Sequence, residues 1–178
     1  HSDVTAGCAV TNNEEIANEI CLLQKNFGGI LGVEDAWLIL RGMKTMGLRM
    51  EKSVENAKIL TRFLETQDKI KKVYYPNLTS CKFYDIHTEQ ASSGGAVFSF
   101  EFFEQDYLKT FLKKIKIPIY AISLGGVESI ISHPATMSHA CMSEEERLAQ
   151  GVTQTLLRFS CGVEDSEDLI EDLKQALN

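Results

Sequence analysis

The sequence predicts an α+β (or α/β) fold, and three observations predict it. From about residue 70 onward, runs rich in aromatic and β-branched residues alternate with helical patterns, in the order strand, strand, helix, strand, helix, strand, helix. Residues 1–65 are almost purely helical and read as part of something larger. With 44% hydrophobic and 24% charged residues, the 178-residue chain has the composition of a soluble protein able to bury a real core. Helices covering one face of a small, mostly antiparallel sheet is the arrangement expected for such an order.

Each element has its own signal. Asn12 or Asn13 can cap a first helix whose opening turn holds Glu14 and Glu15, well placed at the positive end of the dipole. Ile16, Ile20, Leu23 and Phe27 recur at three- and four-residue steps, so this helix is expected to lay one face on a core before Gly28-Gly29 stops it. A second helix starts near Glu34-Asp35, carries Trp37, Leu38 and Leu40, and is interrupted at Gly42. A longer one from about Thr45 to Glu65 presents Leu48, Val54, Ala57, Leu60 and Leu64 as a buried stripe.

Val73-Tyr74-Tyr75 before Pro76 reads as a short strand, and residues 77–93 as a loop with at most a short helix. Gly94-Gly95 leads into a strand over Ala96–Phe102. Tyr107, Phe111 and Ile115 mark a helix. Ile117–Ile122 is strand-like, with Pro118 putting its start at a sheet edge. Ser143 followed by Glu146 is a capping box. Leu156–Val163 reads as a buried strand, and a helix over Ser166–Leu177 bears Leu169, Ile170, Leu173 and Leu177.

The totals exclude several classes. A net charge of −7 leaves no basic stripe for nucleic acid, the densest cluster being Lys69, Lys71 and Lys72. Cysteines 8, 21, 81, 141 and 161 are odd in number and never spaced as CxxC, which fits free thiols in a reducing compartment and no zinc site. No stretch approaches the roughly 20 apolar residues of a membrane span, and the start does not resemble a signal peptide. The Asn77-Leu78-Thr79 sequon then reads as chance. A cytoplasmic protein is expected, with no nucleic acid, membrane or metal among its partners. Its opening His1-Ser2-Asp3-Val4 lacks an initiator methionine, so a trimmed chain or a missing upstream segment is expected.

Arg158 is the main chemical lead. A guanidinium within a buried-looking strand needs an anion, because desolvating an unpaired charge costs several kcal/mol. Two readings stand open: an edge strand with Arg158 facing water or bridging to a carboxylate, or a planar fork held on a stiff element to receive a carboxylate bidentately. Ser123 with Gly125-Gly126, after a strand, could present a hydroxyl and backbone N–H groups to an anion, although a tight turn is the plainer reading. His133 and His139 lie six apart across a proline and read as hydrogen-bonded structural residues. Tyr74, Tyr75, Phe98 and Phe100 read as packing, and Lys44 as a surface lysine.

Taken together, the motifs resemble a known family along essentially the whole chain. They are His1-Ser2-Asp3-Val4; Asp35-Ala36-Trp37-Leu38 with Leu40-Arg41-Gly42-Met43-Lys44-Thr45; Leu48-Arg49-Met50; and Glu55-Asn56-Ala57. Ser123-Leu124-Gly125-Gly126-Val127-Glu128-Ser129, His133-Pro134-Ala135-Thr136-Met137-Ser138-His139 and Leu157-Arg158-Phe159-Ser160-Cys161-Gly162-Val163-Glu164-Asp165 complete them. In this order they resemble the C-terminal part of the trans-sulfuration (Cys/Met metabolism) enzymes dependent on pyridoxal 5'-phosphate (PLP), such as cystathionine γ-synthase, cystathionine lyases and methionine γ-lyase.

The resemblance implies the tail of an aspartate-aminotransferase-type large domain with the start of a linking helix over residues 1–44, then a small C-terminal domain over 45–178. It implies a lyase or transferase of cysteine and methionine metabolism that breaks or makes C–S bonds by β- or γ-elimination or γ-replacement, on a sulfur-containing amino acid, as a homotetramer built of dimers. The substrate-binding residues it implies are Arg158, gripping the α-carboxylate, Ser123, whose neighbourhood helps hold it, and Ile122, at a position that tracks substrate choice. Cystathionine synthases and γ-lyases often carry glutamate there and methionine γ-lyases an apolar residue, so Ile122 leans toward a less polar thioether or thiol amino acid. Gly32-Val33 departs from the more usual Ser-Pro. The Schiff-base lysine falls upstream of His1, as do the phosphate-binding glycine turn, the stacking tyrosine and the aspartate on the pyridine. No catalytic or cofactor-binding residue is therefore expected within residues 1–178, and the chain alone is expected to be inactive. The alternative is a catalytically inert carboxylate-binding or oligomerisation module.

Overall fold

The structure, a computed structural model, describes all of residues 1–178. The chain divides into two compact units, His1–Gly47 and Leu48–Asn178.

In the first unit, α1 (Glu14–Phe27) begins at Asn13, whose side-chain oxygen accepts from the Ile16 N–H at 3.2 Å. It ends at Gly28, which takes the left-handed conformation (φ 70°) that a side chain would resist. α2 (Val33–Met43) runs through Gly42, one residue past the expected interruption, and the Arg41 guanidinium lies 5.6 Å from the centre of the Trp37 ring. The expected burial of the α1 stripe is not found. No residue of α1 or α2 is buried; Phe27 is 83% and Trp37 57% exposed. Helical periodicity specifies which side is apolar and not what covers it, and this unit has no second layer to do so.

The second unit is built on a five-stranded sheet in the order β1-β2-β5-β4-β3. Its strands are β1 (Ile70–Tyr74), β2 (Val97–Phe102), β3 (Ile119–Tyr120), β4 (Ile130–Ser132) and β5 (Leu156–Ser160). β1–β2, β2–β5 and β5–β4 pair antiparallel, whereas β3–β4 is parallel, so the sheet is mixed. β3 lies at the edge, as Pro118 requires. β4 was not expected, because three residues among glycines and serines are too few to show a period. The helices are α3 (Met46–Glu65), α4 (Tyr84–Gln90), α5 (Gln105–Lys114), α6 (Glu144–Ala149, with its Ser143–Glu146 capping box formed) and α7 (Ser166–Leu177).

Alternation along β2 and β5 sends Phe98, Phe100, Phe102, Leu157 and Phe159 into one core with Ala57, Leu60 and Leu64 of α3, Phe111 of α5, and Leu169 and Leu173 of α7. Phe98 stacks on Phe159 at 5.2 Å between centroids. The α3 stripe is shorter than expected, since Leu48 is 72% exposed. Asp172 of α7 accepts from the N–H groups of Lys116 (3.0 Å) and Ile117 (2.8 Å), tying that helix to the approach of β3.

The opposite sheet face is polar and carries Ser99, Glu101, Arg158 and Ser160. Glu101 is only 3% exposed and accepts from Thr153 Oγ1 (2.8 Å), Lys71 Nζ (3.2 Å) and Tyr74 OH (3.3 Å). Burial alone would push its carboxyl up, but the Thr153, Lys71 and Tyr74 donors outweigh that and hold it below its ordinary value. Its folded pKa is thus lower than its unfolded one. Its stabilisation is complete above the unfolded value of about 4.3 and is lost as pH falls through the folded value. Thermal melts from pH 7 down to pH 3 should show a shallower acid decline in Glu101→Gln than in the parent; identical declines would refute this assignment.

Candidate functional site

Arg158 lies in the middle of β5, the central strand, with Ser99 of β2 and Ser132 of β4 directly opposite it. Leu157 and Phe159 enter the core, so the pleat turns Arg158 to the polar face, where it is half-buried. Its Nη2 donates to the Ser123 carbonyl at 3.0 Å, and none of the ion pairs involves it. The edge placement does not hold, although Arg158 does turn away from the core. The strand is central, and no carboxylate neutralises the guanidinium. A guanidinium has five N–H donors, and one of them here donates to the Ser123 carbonyl.

The loop 121–129 brings the partner residue in. Ser123 meets Arg158 through its carbonyl oxygen, while its side chain and that of Ile122 (66% exposed) lie open. Gly125 at φ +76° lets the chain turn so that its N–H donates to Ser160 Oγ at 2.8 Å, one pleat along β5 from Arg158. The structure therefore brings Arg158 and Ser123 together and places Ile122 beside them in sequence.

A second set of ties, not foreseen from the sequence, holds the base of this loop to the turn after β5. Glu164 accepts from the N–H of Ser129 through one oxygen and from its hydroxyl (2.8 Å) through the other. Ser129 Oγ in turn accepts from the Gly162 N–H at 2.9 Å, and the Val163 N–H donates to the Val127 carbonyl at 2.9 Å. Asn56 of α3, fully buried, donates to the carbonyls of Gly162 (3.1 Å) and Glu164 (2.9 Å). The one signal available was a polar Asn56 adjoining Ala57 within the apolar stripe of α3.

The remaining candidates are structural. His133 is 5% exposed, with Nδ1 2.8 Å from Thr136 Oγ1 and Nε2 3.0 Å from the Gln154 carbonyl. The Tyr75 hydroxyl donates to the Gly95 carbonyl and is pushed up to about 12, by burial first and then by the neighbouring Cys161. Burial, with the Glu164 charge second, pushes the Cys161 thiol up as well, which leaves it unreactive. Lys44 is exposed; it lines a cleft of 410 Å³ in the first unit with His1, Asp3 and Arg41, none of which belongs to the Arg158 cluster. No helix is long and apolar enough to cross a membrane, and no three His, Cys, Asp or Glu side chains are grouped to hold a metal ion.

The donor set around Arg158 suits a carboxylate. PLP would also need an amine for its aldehyde and an acid for its pyridine nitrogen, and the strand and hydrogen-bond partners of Arg158 are Ser99, Ser132 and Ser123. The cluster fits the carboxylate of an amino acid and does not by itself fit the cofactor.

The chain is similar to known proteins along its whole length. Residues 1–178 match the family model described as Cys/Met metabolism PLP-dependent enzyme. Cystathionine beta-lyase MetC of Bacillus subtilis (strain 168) is 45% identical over 177 residues, which are 99% of this chain and 45% of that protein. Cystathionine gamma-synthase of Escherichia coli (strain K12) is 42% identical over 175 residues, covering 98% of this chain and 45% of that protein. The crystal structure of cystathione gamma lyase (CalE6) from Micromonospora echinospora superposes with a TM-score of 0.87 at 31% identity, over 94% of this chain and 44% of that one. The chain thus spans a little under half the length of the relatives it matches.

Proposed function

The chain belongs to the Cys/Met metabolism PLP-dependent enzyme family, and from that premise we propose that it supplies the substrate α-carboxylate site of an enzyme acting on the C–S bonds of sulfur amino acids. One observation carries the proposal: a half-buried guanidinium on a central strand, fixed by a backbone carbonyl and left without a carboxylate.

PLP, the family's cofactor, supplies the electron sink for such chemistry. The residues of this chain bind and orient. Arg158 receives the α-carboxylate in a bidentate grip, which fixes the position and rotation of the amino acid against the reacting centre. Ser123 steadies Arg158 through its carbonyl. Ile122, apolar and exposed, offers no charge to a distal ammonium and favours a less polar thioether or thiol amino acid. The reaction is β- or γ-elimination or γ-replacement at carbon–sulfur. On this reading residues 1–44 end an aspartate-aminotransferase-type large domain and 45–178 form the small domain, with the division of the chain beside Gly47 as support. The protein acts in the cytoplasm as a homo-oligomer, and the exposed apolar faces of α1 and α2 are surfaces suited to assembly.

In the PLP-loaded enzyme carrying this segment, Arg158→Ala should lower kcat/KM for L-cystathionine by about 100-fold through the loss of a charge-assisted bidentate contact. Arg158→Lys should recover only part of it, since an ammonium restores charge without the fork. An alanine variant within twofold of the parent would sink the assignment.

A further inference from the structure

We propose that Glu164 is a positioning residue for the carboxylate site: by clamping Ser129 it fixes the loop whose Ser123 carbonyl orients Arg158. The inference rests on the reading of Arg158 as the carboxylate anchor.

The loop 121–129 is tied to β5 and its following turn at two levels. The upper ties are single hydrogen bonds, from Arg158 to the exposed Ser123 and from the exposed Gly125 to the buried Ser160. The lower ties close on Ser129 and Asn56, each 0% exposed, with Glu164 itself half-buried. Both oxygens of Glu164 are spent on one residue, Ser129, and the serine hydroxyl that donates to Glu164 accepts from Gly162. Charge-assisted bonds to a carboxylate are about twice as strong as neutral ones. The lower level is therefore the stiff one, and the upper level inherits its position. No lysine, arginine or histidine pairs with Glu164, so its charge is committed to the loop. Asn56 completes the arrangement by holding the main chain on both sides of Val163.

A carboxamide at 164 keeps the shape but replaces one acceptor by a donor, so either the Ser129 N–H or its hydroxyl loses its partner. The loop base loosens, the Ser123 carbonyl wanders, and Arg158 loses its fixed aim while keeping its charge.

The experiment measures calorimetric dissociation constants for two ligands on the PLP-loaded enzyme carrying this segment. L-Norleucine has the α-carboxylate and no sulfur to lose; pentylamine is its counterpart without the carboxylate. Their ratio reports the contribution of the carboxylate alone, which a general loss of structure would not move selectively. Arg158→Ala should reduce the ratio about 30-fold and Glu164→Gln about fivefold, the latter on the scale of one ordinary hydrogen bond. Glu164→Gln on the Arg158→Ala background should change the ratio no further, because it acts through Arg158. A Glu164→Gln ratio equal to that of the parent, or losses that multiply in the double variant, would overturn the proposal while leaving Arg158 as anchor. An unchanged ratio in Arg158→Ala would overturn both. If Glu164→Gln fails to fold, Ser129→Ala takes its place, since it removes the hydroxyl from the same clamp, and the same outcomes decide.

Discussion

Gly162→Ala is expected to lower the melting temperature by roughly 6–12 °C, the equivalent of about 3 kcal/mol, and to weaken carboxylate binding at the same time. A Cβ at this position would stand 2.2 Å from the Val127 carbonyl oxygen, 2.5 Å from Glu164 Oε2 and 2.6 Å from the Glu128 carbonyl carbon. Two of the three are main-chain atoms, and relieving them means pushing the loop away from β5. The residue is also pinned on both its polar groups, the N–H to Ser129 and the carbonyl to Asn56. Movement in either direction therefore breaks a buried hydrogen bond. Gly29→Ala provides the control, since a Cβ there meets nothing within 4 Å and its φ is not in the left-handed region. A Gly162→Ala melt within 2 °C of the control would show that the loop yields freely, contrary to this account.

Phe100→Ala should be similarly severe, at about 3–5 kcal/mol, read as a lower denaturation midpoint with an unchanged slope. Phe100 is 0% exposed and sits among aromatic rings: Phe98 at 6.1 Å, Phe102 at 5.6 Å and Phe111 at 5.9 Å between centroids. Its removal leaves a cavity walled by the sheet and by α5, elements held too firmly to collapse into it. Its neighbour across the ladder is Leu157, next to Arg158, so the loss falls on the strand that bears the site. Phe83, 59% exposed, should tolerate the same change within about 0.5 kcal/mol. Equal costs at the two positions would contradict the placement of the core.

The parts of this fold that could be read from the sequence are those whose cause is local. Asn13, Gly28 and the Ser143–Glu146 box act within a few residues of themselves, and each is found at work. The alternation in Ala96–Phe102 and the apolar positions of α7 were legible for the same reason. What failed was anything that depends on a distant partner. The stripe of α1 is apolar but uncovered, and Leu48 likewise. β4 is too short to carry a pattern and exists because β5 and β3 flank it. Arg158 announced that an anion was needed, yet its central position in the sheet could not be inferred. The Asn56, Ser129 and Glu164 ties join residues that are polar in unremarkable contexts, separated by 35 positions in one case and 108 in another. Family resemblance pointed to Arg158 and Ser123, but the contact through the Ser123 carbonyl is visible only in three dimensions.

The order β1-β2-β5-β4-β3 has a consequence for how the molecule comes into being. The central strand is the last to appear along the chain. Until Leu156–Ser160 arrives, β2 and β4 each lack a neighbour on one side, and the sheet exists as two separate edges with open hydrogen-bonding groups. Joining them closes long loops, a slow step in folding. The two halves of the sheet can therefore join only once the strand that carries Arg158 has been made.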